Sequence, residues 1–158
     1  MAASKCECGA PGGSQTCRDL FNDVALRVRA LAWTGSLTTW RLMHDVYAVQ
    51  HPVDHCPDYG ALIVHLGGVC WAIEHSGSER GYRAIQAFAD RGAWKKQPYP
   101  PAPGFPANFG AISVASLRDL DQPALLVNGV DRWARSVWKA WEPVHTIARE
   151  WVTQSGAT

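Results

Sequence analysis

The sequence predicts an all-α protein, a single-domain bundle of about five helices, and three observations support this prediction. Apolar residues recur at helical spacing in several long windows, and the alternating pattern of strands is nearly absent. Gly and Pro residues are concentrated between these windows, where they separate the helices. The chain has 158 residues, of which 47% are hydrophobic and 18% charged, as is typical of a globular domain. We therefore expect one helical domain over residues 1–158.

The first two predicted helices follow an N-terminal arm. Residues 1–16 are rich in Gly, Pro and Ser and form this arm. Thr16 is the expected N-cap of a helix that starts at Cys17 and ends at Gly35. Ser36 caps the second helix, and Pro52 stops it. Each helix has an apolar face at helical spacing: Leu20, Val24, Val28 and Leu31 in the first; Leu37, Trp40, Met43 or His44, and Tyr47 in the second.

Two further helices are predicted before the composition changes. The third begins near Asp58 and ends at the Ser-Gly-Ser sequence of residues 76–78. The fourth covers about residues 80–91 and ends at Gly92. Residues 97–110 then contain five prolines and two glycines in fourteen positions. Because proline cannot donate a backbone hydrogen bond, this segment is predicted to be an extended connection across the surface.

The last part of the chain is predicted to form one short and one long helix. Ser113 opens a turn of helix that ends near Leu120. Asp121 is the expected N-cap of a long helix that runs to about Val152, with a kink at Pro143. Its apolar residues form one continuous stripe: Val130, Ala134, Val137, Trp141, Val144, Ala148 and Trp151.

Charge and hydropathy exclude two classes of partner. The net charge is +1 and no block of Lys and Arg is present, which argues against nucleic acid as a ligand. No apolar run approaches the ~20 residues of a membrane span, and the N-terminus lacks the apolar core of a signal peptide. We therefore expect a cytoplasmic protein without a membrane partner. In a reducing compartment, the five cysteines are more often metal ligands or redox thiols than disulfides.

A candidate metal site lies around residues 44–56, HDVYAVQHPVDHC. Short loops make the first three helices antiparallel neighbours, so the start of the first, the end of the second and the start of the third meet at one pole. The arm reaches the same pole. Thiolates and imidazoles fixed by separate chain segments are the ligands of tetrahedral zinc, which needs four of them. The candidates are Cys6, Cys8, Cys17, His51, His55 and Cys56.

The second predicted helix also has a polar face that suggests proton transfer. His44, Tyr47 and His51 follow one another at i, i+3 and i+7, and His65 is expected on the facing helix. A polar strip between helices is costly unless it is hydrogen-bonded, hydrated or functional. It is either a satisfied core network or a face on which His44, Tyr47 and Asp45 move protons.

Several motifs resemble a bacterial family of small helical proteins that is catalogued as a domain of unknown function. They are CGA at residues 8–10, a further cysteine at 17, DxYxxQHP at 45–52, HL at 65–66, and the closing helix with SVASLRDL and WARSVWKAWEPVHTIAREW. The resemblance implies Cys8, Cys17, His51 and His65 as metal ligands, with Asp45, Tyr47 and Gln50 as companions. This sequence departs from the family in its C-x-C spacing, where C-x-x-C is expected, and in having His44 at a position that tends to be apolar.

Three functions fit these features. The first is a zinc-dependent enzyme for a small molecule, in which the ion keeps an open position and activates water or polarises a carbonyl. Its eight tryptophans and the Pro-rich connection would form and cover an apolar pocket. The second is a structural zinc site in a binding or interaction module. The third is a covalent enzyme in which a helix N-terminus lowers the thiol pKa of Cys17. The remaining cysteine and histidines are expected in the core or at helix ends: Cys70, His75 and His145.

Overall fold

The computed structural model describes residues 5–32 and 37–158, and in these ranges the protein is all-α, as predicted. The described ranges form no β-strand, only an isolated bridge between Lys5 and Pro11. Seven α-helices are present there: α1 (Gly13–Ala32), α2 (Leu37–Gln50), α3 (Pro52–His55), α4 (Tyr59–Glu74), α5 (Glu79–Arg91), α6 (Pro123–Ala140) and α7 (His145–Ser155). Three 3-10 turns accompany them: Ala93–Lys96, Val114–Leu117 and Glu142–Val144.

Two prolines explain why the helices number seven instead of about five. Pro52 ends α2 as predicted, but it also occupies the first position of the one-turn helix α3, where a missing N–H costs nothing. Pro143 lies in the 3-10 turn that separates α6 from α7. The predicted single helix from Asp121 to Val152 is therefore two helices, because the break at Trp141 is complete and is not a kink.

Some predicted helix ends differ from the observed ones. The first helix begins at Gly13, so Thr16 lies inside it and is not an N-cap. The N-cap position of α6 is occupied by Gln122 instead of Asp121. Asp58 does cap α4, where its side chain accepts a hydrogen bond from the Ala61 amide at 2.9 Å. The predicted boundary at residues 35 and 36 lies outside the described residues.

Helix α4 is the centre of the bundle. It packs against α2, α5, α6 and α7, and its sequence is apolar around most of its circumference, as a helix surrounded by others must be. Helix α2 lies between α1 on one side and α4 and α6 on the other. The buried residues of α4 are Tyr59, Leu62, Ile63, Val64, Leu66, Gly67, Gly68, Val69, Cys70 and Trp71.

The connection at residues 97–110 contains no helix, as predicted. Aromatic side chains attach it to the bundle. The Tyr99 hydroxyl donates a hydrogen bond to the Cys56 carbonyl, and Phe105 and Phe109 pack against Trp141 with ring centroids 5.9 and 6.2 Å apart. The segment therefore crosses the surface beside the junction of α2 and α3.

The helices in the described ranges do not include one with the length and hydropathy needed to cross a membrane.

Because α4 and α5 pack closely, we expect one added methyl group at their contact to destabilise the protein. A Cβ added at Gly81 would lie 2.1 Å from Cε2 of the buried Trp71 ring, whereas one at Gly67 would lie 3.2 Å from Ile85 Cγ2. We expect Gly81→Ala to lower the free energy of unfolding by about 1–3 kcal/mol through overpacking. Gly67→Ala is the matched control and should stay within about 1 kcal/mol of the unmodified protein, since Ala favours the helix. Urea unfolding of both variants measures the difference, and equal stabilities would contradict the predicted packing.

Candidate metal centre

A tight turn in the N-terminal arm directs two thiols toward the bundle. The Cys6 carbonyl accepts a hydrogen bond from the Gly9 amide at 2.8 Å, and the Cys6 amide donates to the Ala10 carbonyl at 2.9 Å. Gly9 has φ +83°, a conformation that glycine adopts without strain. Cys6 and Cys8 are each only 5% exposed. The C-x-C spacing therefore places both sulfur atoms on the inner side of one turn.

Two helices supply the other donors at this pole. Cys17 lies in the second turn of α1, and His51 follows directly after α2. Both side chains are buried, at 1% and 5% exposure. One ligand atom from each of Cys6, Cys8, Cys17 and His51 lies within 4.8 Å of every other. The structure therefore brings together four of the six residues that the sequence predicted as metal ligands.

Three of the distances between these atoms are close to the edges of a small tetrahedron. Cys6 Sγ lies 3.3 Å and Cys17 Sγ 3.6 Å from His51 Nε2, and Cys8 Sγ lies 3.6 Å from Cys17 Sγ. Zinc bonds of ~2.3 Å to sulfur and ~2.0 Å to nitrogen put sulfur pairs ~3.8 Å apart and sulfur–nitrogen pairs ~3.5 Å apart in a tetrahedron. The donor set can therefore hold a metal ion of this size.

The His51 ring is oriented by its own helix. Its Nδ1 lies 2.9 Å from the Tyr47 carbonyl oxygen, which can only accept a hydrogen bond, so Nδ1 carries a proton. In the neutral ring Nε2 then has the free lone pair, and it is the nitrogen that faces the thiols. Metal-binding histidines are usually fixed in this way by a partner on the second nitrogen.

Hydrogen bonds among the donors shift the pKa values of two thiols in opposite directions. Hydrogen bonding from Cys17 lowers the pKa of Cys8 to about 4 against the opposing effect of burial, and His51 contributes to the lowering. The hydrogen bond with Cys8 and burial raise the pKa of Cys17. Burial lowers the pKa of His51. Hydrogen bonds with Cys8 and with the Tyr47 carbonyl raise it by more, so the net shift is upward. A raised pKa at Cys17 does not favour a role as an activated nucleophile.

The other predicted ligands lie outside this cluster. His55 is exposed at the end of α3, with its ring centroid 6.4 Å from that of His51. His65 Nδ1 is 2.8 Å from Asp45 Oδ1. The Cys56 thiol is buried and lies 3.8 Å from the Ala48 carbonyl. Cys70 is a buried core thiol, as expected.

The predicted proton-transfer residues separate into two places. Tyr47 belongs to the metal pole, where its ring stacks on Phe21 at 3.9 Å and contacts the His51 ring at 4.2 Å. Burial and the nearby Cys17 raise its pKa, so its hydroxyl keeps its proton at neutral pH. His44 and Asp45 instead line a cavity, and the His44 ring lies edge-on to Phe21 at 5.2 Å.

One charged residue beside Asp45 was absent from the sequence-based prediction. Arg41 Nε donates to the Asp45 carboxylate at 3.1 and 3.3 Å. The sequence does indicate this ion pair, because Arg41 and Asp45 are four residues apart on one helix, a spacing at which opposite charges pair. The spacing alone does not show that the carboxylate is fully buried.

Comparison with known proteins identifies the family. No curated protein and no solved structure matches the chain. The model of a family of unknown function, DUF5946, matches residues 3–142. The match includes residues 3–16 of the arm, all four residues of the cluster and the helices that position them. The chain therefore belongs to this family of unknown function.

Proposed function

We propose that Cys6, Cys8, Cys17 and His51 bind one zinc ion, and that this ion fixes the N-terminal arm to the bundle. The observation that supports the proposal most directly is the convergence of four buried soft donors from three chain segments within 4.8 Å. The protein is then a helical module with a structural metal.

The chemistry of the donors favours zinc over other divalent ions. Thiolates and imidazole select zinc or an iron–sulfur cluster, whereas magnesium, calcium and manganese prefer oxygen. Three thiolates and a neutral imidazole compensate the charge of a divalent ion and leave one net negative charge. Without a cation, three thiolates this close in a buried site would repel one another.

A complete shell favours a structural ion over a catalytic one. Catalytic zinc sites keep a position for water beside three protein ligands, while structural sites are closed by four. Here the chain offers four ligands, and all four side chains are at most 5% exposed. The hypothesis of water activation at the metal needs an open position that this donor set does not leave.

The arm has little else to hold it in place. Five of the eight residues from 5 to 12 are charged, glycine or proline, and the segment offers few apolar side chains to the core. The two backbone hydrogen bonds within the turn do not connect it to a helix. A metal ion bonded to Cys6 and Cys8 from the turn, and to Cys17 and His51 from the helices, makes that connection.

Metal analysis tests the proposal. We expect the purified protein to contain about one equivalent of zinc and to show a first shell of three sulfurs and one nitrogen by X-ray absorption. Removal of the ion with a strong chelator should lower the melting temperature, and returning zinc should restore it. Protein that is free of metal and equally stable with or without zinc would contradict the proposal. A shell with bound water and fewer protein ligands would instead favour a catalytic ion.

A further inference from the structure

A cavity of about 620 Å³ opens beside α2. It lies between α2, the first two turns of α4, the end of α5 and the 3-10 turn at Ala93–Lys96. Its volume is in the range of small-molecule sites. None of the four proposed zinc ligands lines it, and neither does the connection at residues 97–110. The cavity is therefore lined by residues other than the four metal donors.

Two residues of this cavity form an acid–base pair. His65 Nδ1 donates to Asp45 Oδ1 at 2.8 Å, which leaves the Nε2 lone pair available. The Asp45 side chain is 0% exposed, while the His65 side chain is 28% exposed and reaches the cavity. A buried carboxylate behind an accessible imidazole fixes the ring tautomer and stabilises the imidazolium formed when Nε2 takes a proton.

The surroundings hold the Asp45 carboxylate in place. Arg41 donates to it from the same helix, which compensates the charge that burial would otherwise penalise. The Arg41 guanidinium also lies over the Tyr82 ring, 5.2 Å from its centroid. A Cβ added at Gly68 would lie 2.3 Å from Asp45 Oδ2, so only glycine leaves room for this carboxylate. The pair is thus built by α2, α4 and α5 together.

A second imidazole in the cavity provides an internal comparison. His44 Nδ1 donates to the Trp40 carbonyl at 2.8 Å, the same distance as in the His65 pair, but its partner is a neutral carbonyl. When these rings are neutral, Nε2 of each therefore carries the lone pair and can accept a proton. Since only His65 has a carboxylate behind it, only His65 has a counter-charge for the protonated ring.

The remaining walls favour a flat ligand. Two indole rings, Trp40 and Trp94, line the cavity beside the methyl groups of Ala61 and Val64. The Trp94 ring is fixed by a hydrogen bond from its Nε1 to the Ala89 carbonyl at 2.7 Å. Fixed aromatic walls bind planar groups at low entropic cost. Among the described residues that line the cavity there is no serine, threonine, cysteine or tyrosine, and the hydroxyl to be deprotonated is therefore assigned to the ligand.

We propose that this cavity binds a small planar hydroxy compound, a phenol or an enol, and that His65 Nε2 removes its hydroxyl proton. The O–H bond of the ligand breaks, and its electron pair stays on the oxygen. A new N–H bond forms on Nε2, and the positive charge of the imidazolium faces the Asp45 carboxylate. His65 is the catalytic residue of this step and Asp45 its positioning residue.

p-Nitrophenol is a direct probe, because its neutral and ionised forms absorb at different wavelengths. The protein is titrated with p-nitrophenol at a pH where the free probe is mostly neutral. We expect saturable binding together with growth of the nitrophenolate band. His65→Gln should lose this band, although the probe still binds between the indole walls. His44→Gln, the matched imidazole variant, should change how much probe binds but not its ionised fraction.

Asp45→Asn separates positioning from structure. An amide in place of the carboxylate still fits beside Gly68, but it no longer balances an imidazolium, so the nitrophenolate band of the bound probe should fall while binding persists. If this variant does not fold, the comparison of His65→Gln with His44→Gln decides alone. The proposal is overturned if p-nitrophenol does not bind saturably, if the bound probe stays neutral, or if His65→Gln keeps the band. It is also overturned if His44→Gln, and not His65→Gln, loses it.

Discussion

We expect Cys17→Ala to purify with almost no zinc and to melt roughly 10 °C below the unmodified protein. Cys17 is the donor that the long helix α1 contributes, and its sulfur lies 3.6 Å from both Cys8 Sγ and His51 Nε2. Without it, three ligands remain and two of them come from the arm, so the ion loses its connection to α1.

The size of this effect follows from binding linkage. A ligand that binds only the folded state stabilises it by about 4 kcal/mol when its free concentration is a thousandfold above the dissociation constant. In a domain of this size, each kcal/mol corresponds to about 2–4 °C in melting temperature. None of the four donors lies on the central helix α4, and we therefore expect the helices to remain folded at room temperature after the ion is lost.

Cys70→Ala is the matched control. Both cysteines are buried thiols in helices, at 1% and 0% exposure, so both variants lose the same atoms from a packed site. Burial raises the pKa of Cys70 to about 12, and it lies in α4 outside the cluster. We expect this variant to keep its zinc. Full zinc content in Cys17→Ala, or loss of zinc from Cys70→Ala, would show that the donor set is wrong.

Amide exchange locates the change. In the intact arm, the Cys6 and Gly9 amides donate to backbone carbonyls of the same turn. If the ion holds this turn, both amides should exchange much faster in Cys17→Ala than in Cys70→Ala, while amides of α4 stay protected.

The convergence of the ligands was predictable because it depends on topology. Short connections place the start of α1 beside the end of α2, so Cys17 and His51 meet at one pole whatever the details of the side chains. The arm reaches the same pole simply by preceding α1. Four of the predicted ligands therefore lie together even though the predicted start of the first helix is four residues too late.

Three predicted ligands lie elsewhere, and the positions of two of them depend on details that topology does not provide. His55 was expected at the start of the third helix, but Pro52 begins a separate turn, α3, and places the His55 ring at the surface. His65 was implied by resemblance, yet its Nδ1 bonds with a carboxylate from another helix. A pairing between α2 and α4 depends on the rotation of both helices, which sequence periodicity gives only approximately.

Gln50→Met should be the most destabilising single change at the end of α2, at about 3–5 kcal/mol. Gln50 is 0% exposed, and its side chain makes three hydrogen bonds. Nε2 donates to the Phe109 and Ile112 carbonyls at 3.0 and 2.8 Å, and Oε1 accepts from Trp133 Nε1 at 2.9 Å. One amide thus joins α2, the end of the Pro-rich connection and α6. The sequence marks Gln50 only as a motif companion, because none of its partners is near it in the chain.

Methionine has nearly the same length and volume as glutamine, so the change removes hydrogen bonds without opening a cavity. Each of the three partner groups then lacks a hydrogen bond, which costs about 1–3 kcal/mol of stability for a buried group. The cost for the two carbonyls lies toward the low end of this range because they are only partly buried. Gln15→Met is the control, since Gln15 is exposed and its side chain donates a hydrogen bond to Asp19 on its own helix. Trp133→Phe removes one of the three bonds and should cost less than Gln50→Met, with the double variant below the sum because they share that bond.

Zinc content distinguishes the role of Gln50 from that of the next residue, His51. His51 is held by the Tyr47 carbonyl and faces the thiols, and none of these contacts passes through the Gln50 side chain. We therefore expect Gln50→Met to unfold at a lower urea concentration than the unmodified protein while still containing about one equivalent of zinc. A variant that loses a metal ligand should behave in the opposite way, because it loses zinc but keeps the packing of the core. A Gln50→Met protein as stable as Gln15→Met would mean that water replaces the lost partners and that the connection is not held by this amide. Loss of zinc in folded Gln50→Met would mean that the end of α2 positions His51 through Gln50, which joins the metal centre and the core into one cooperative unit.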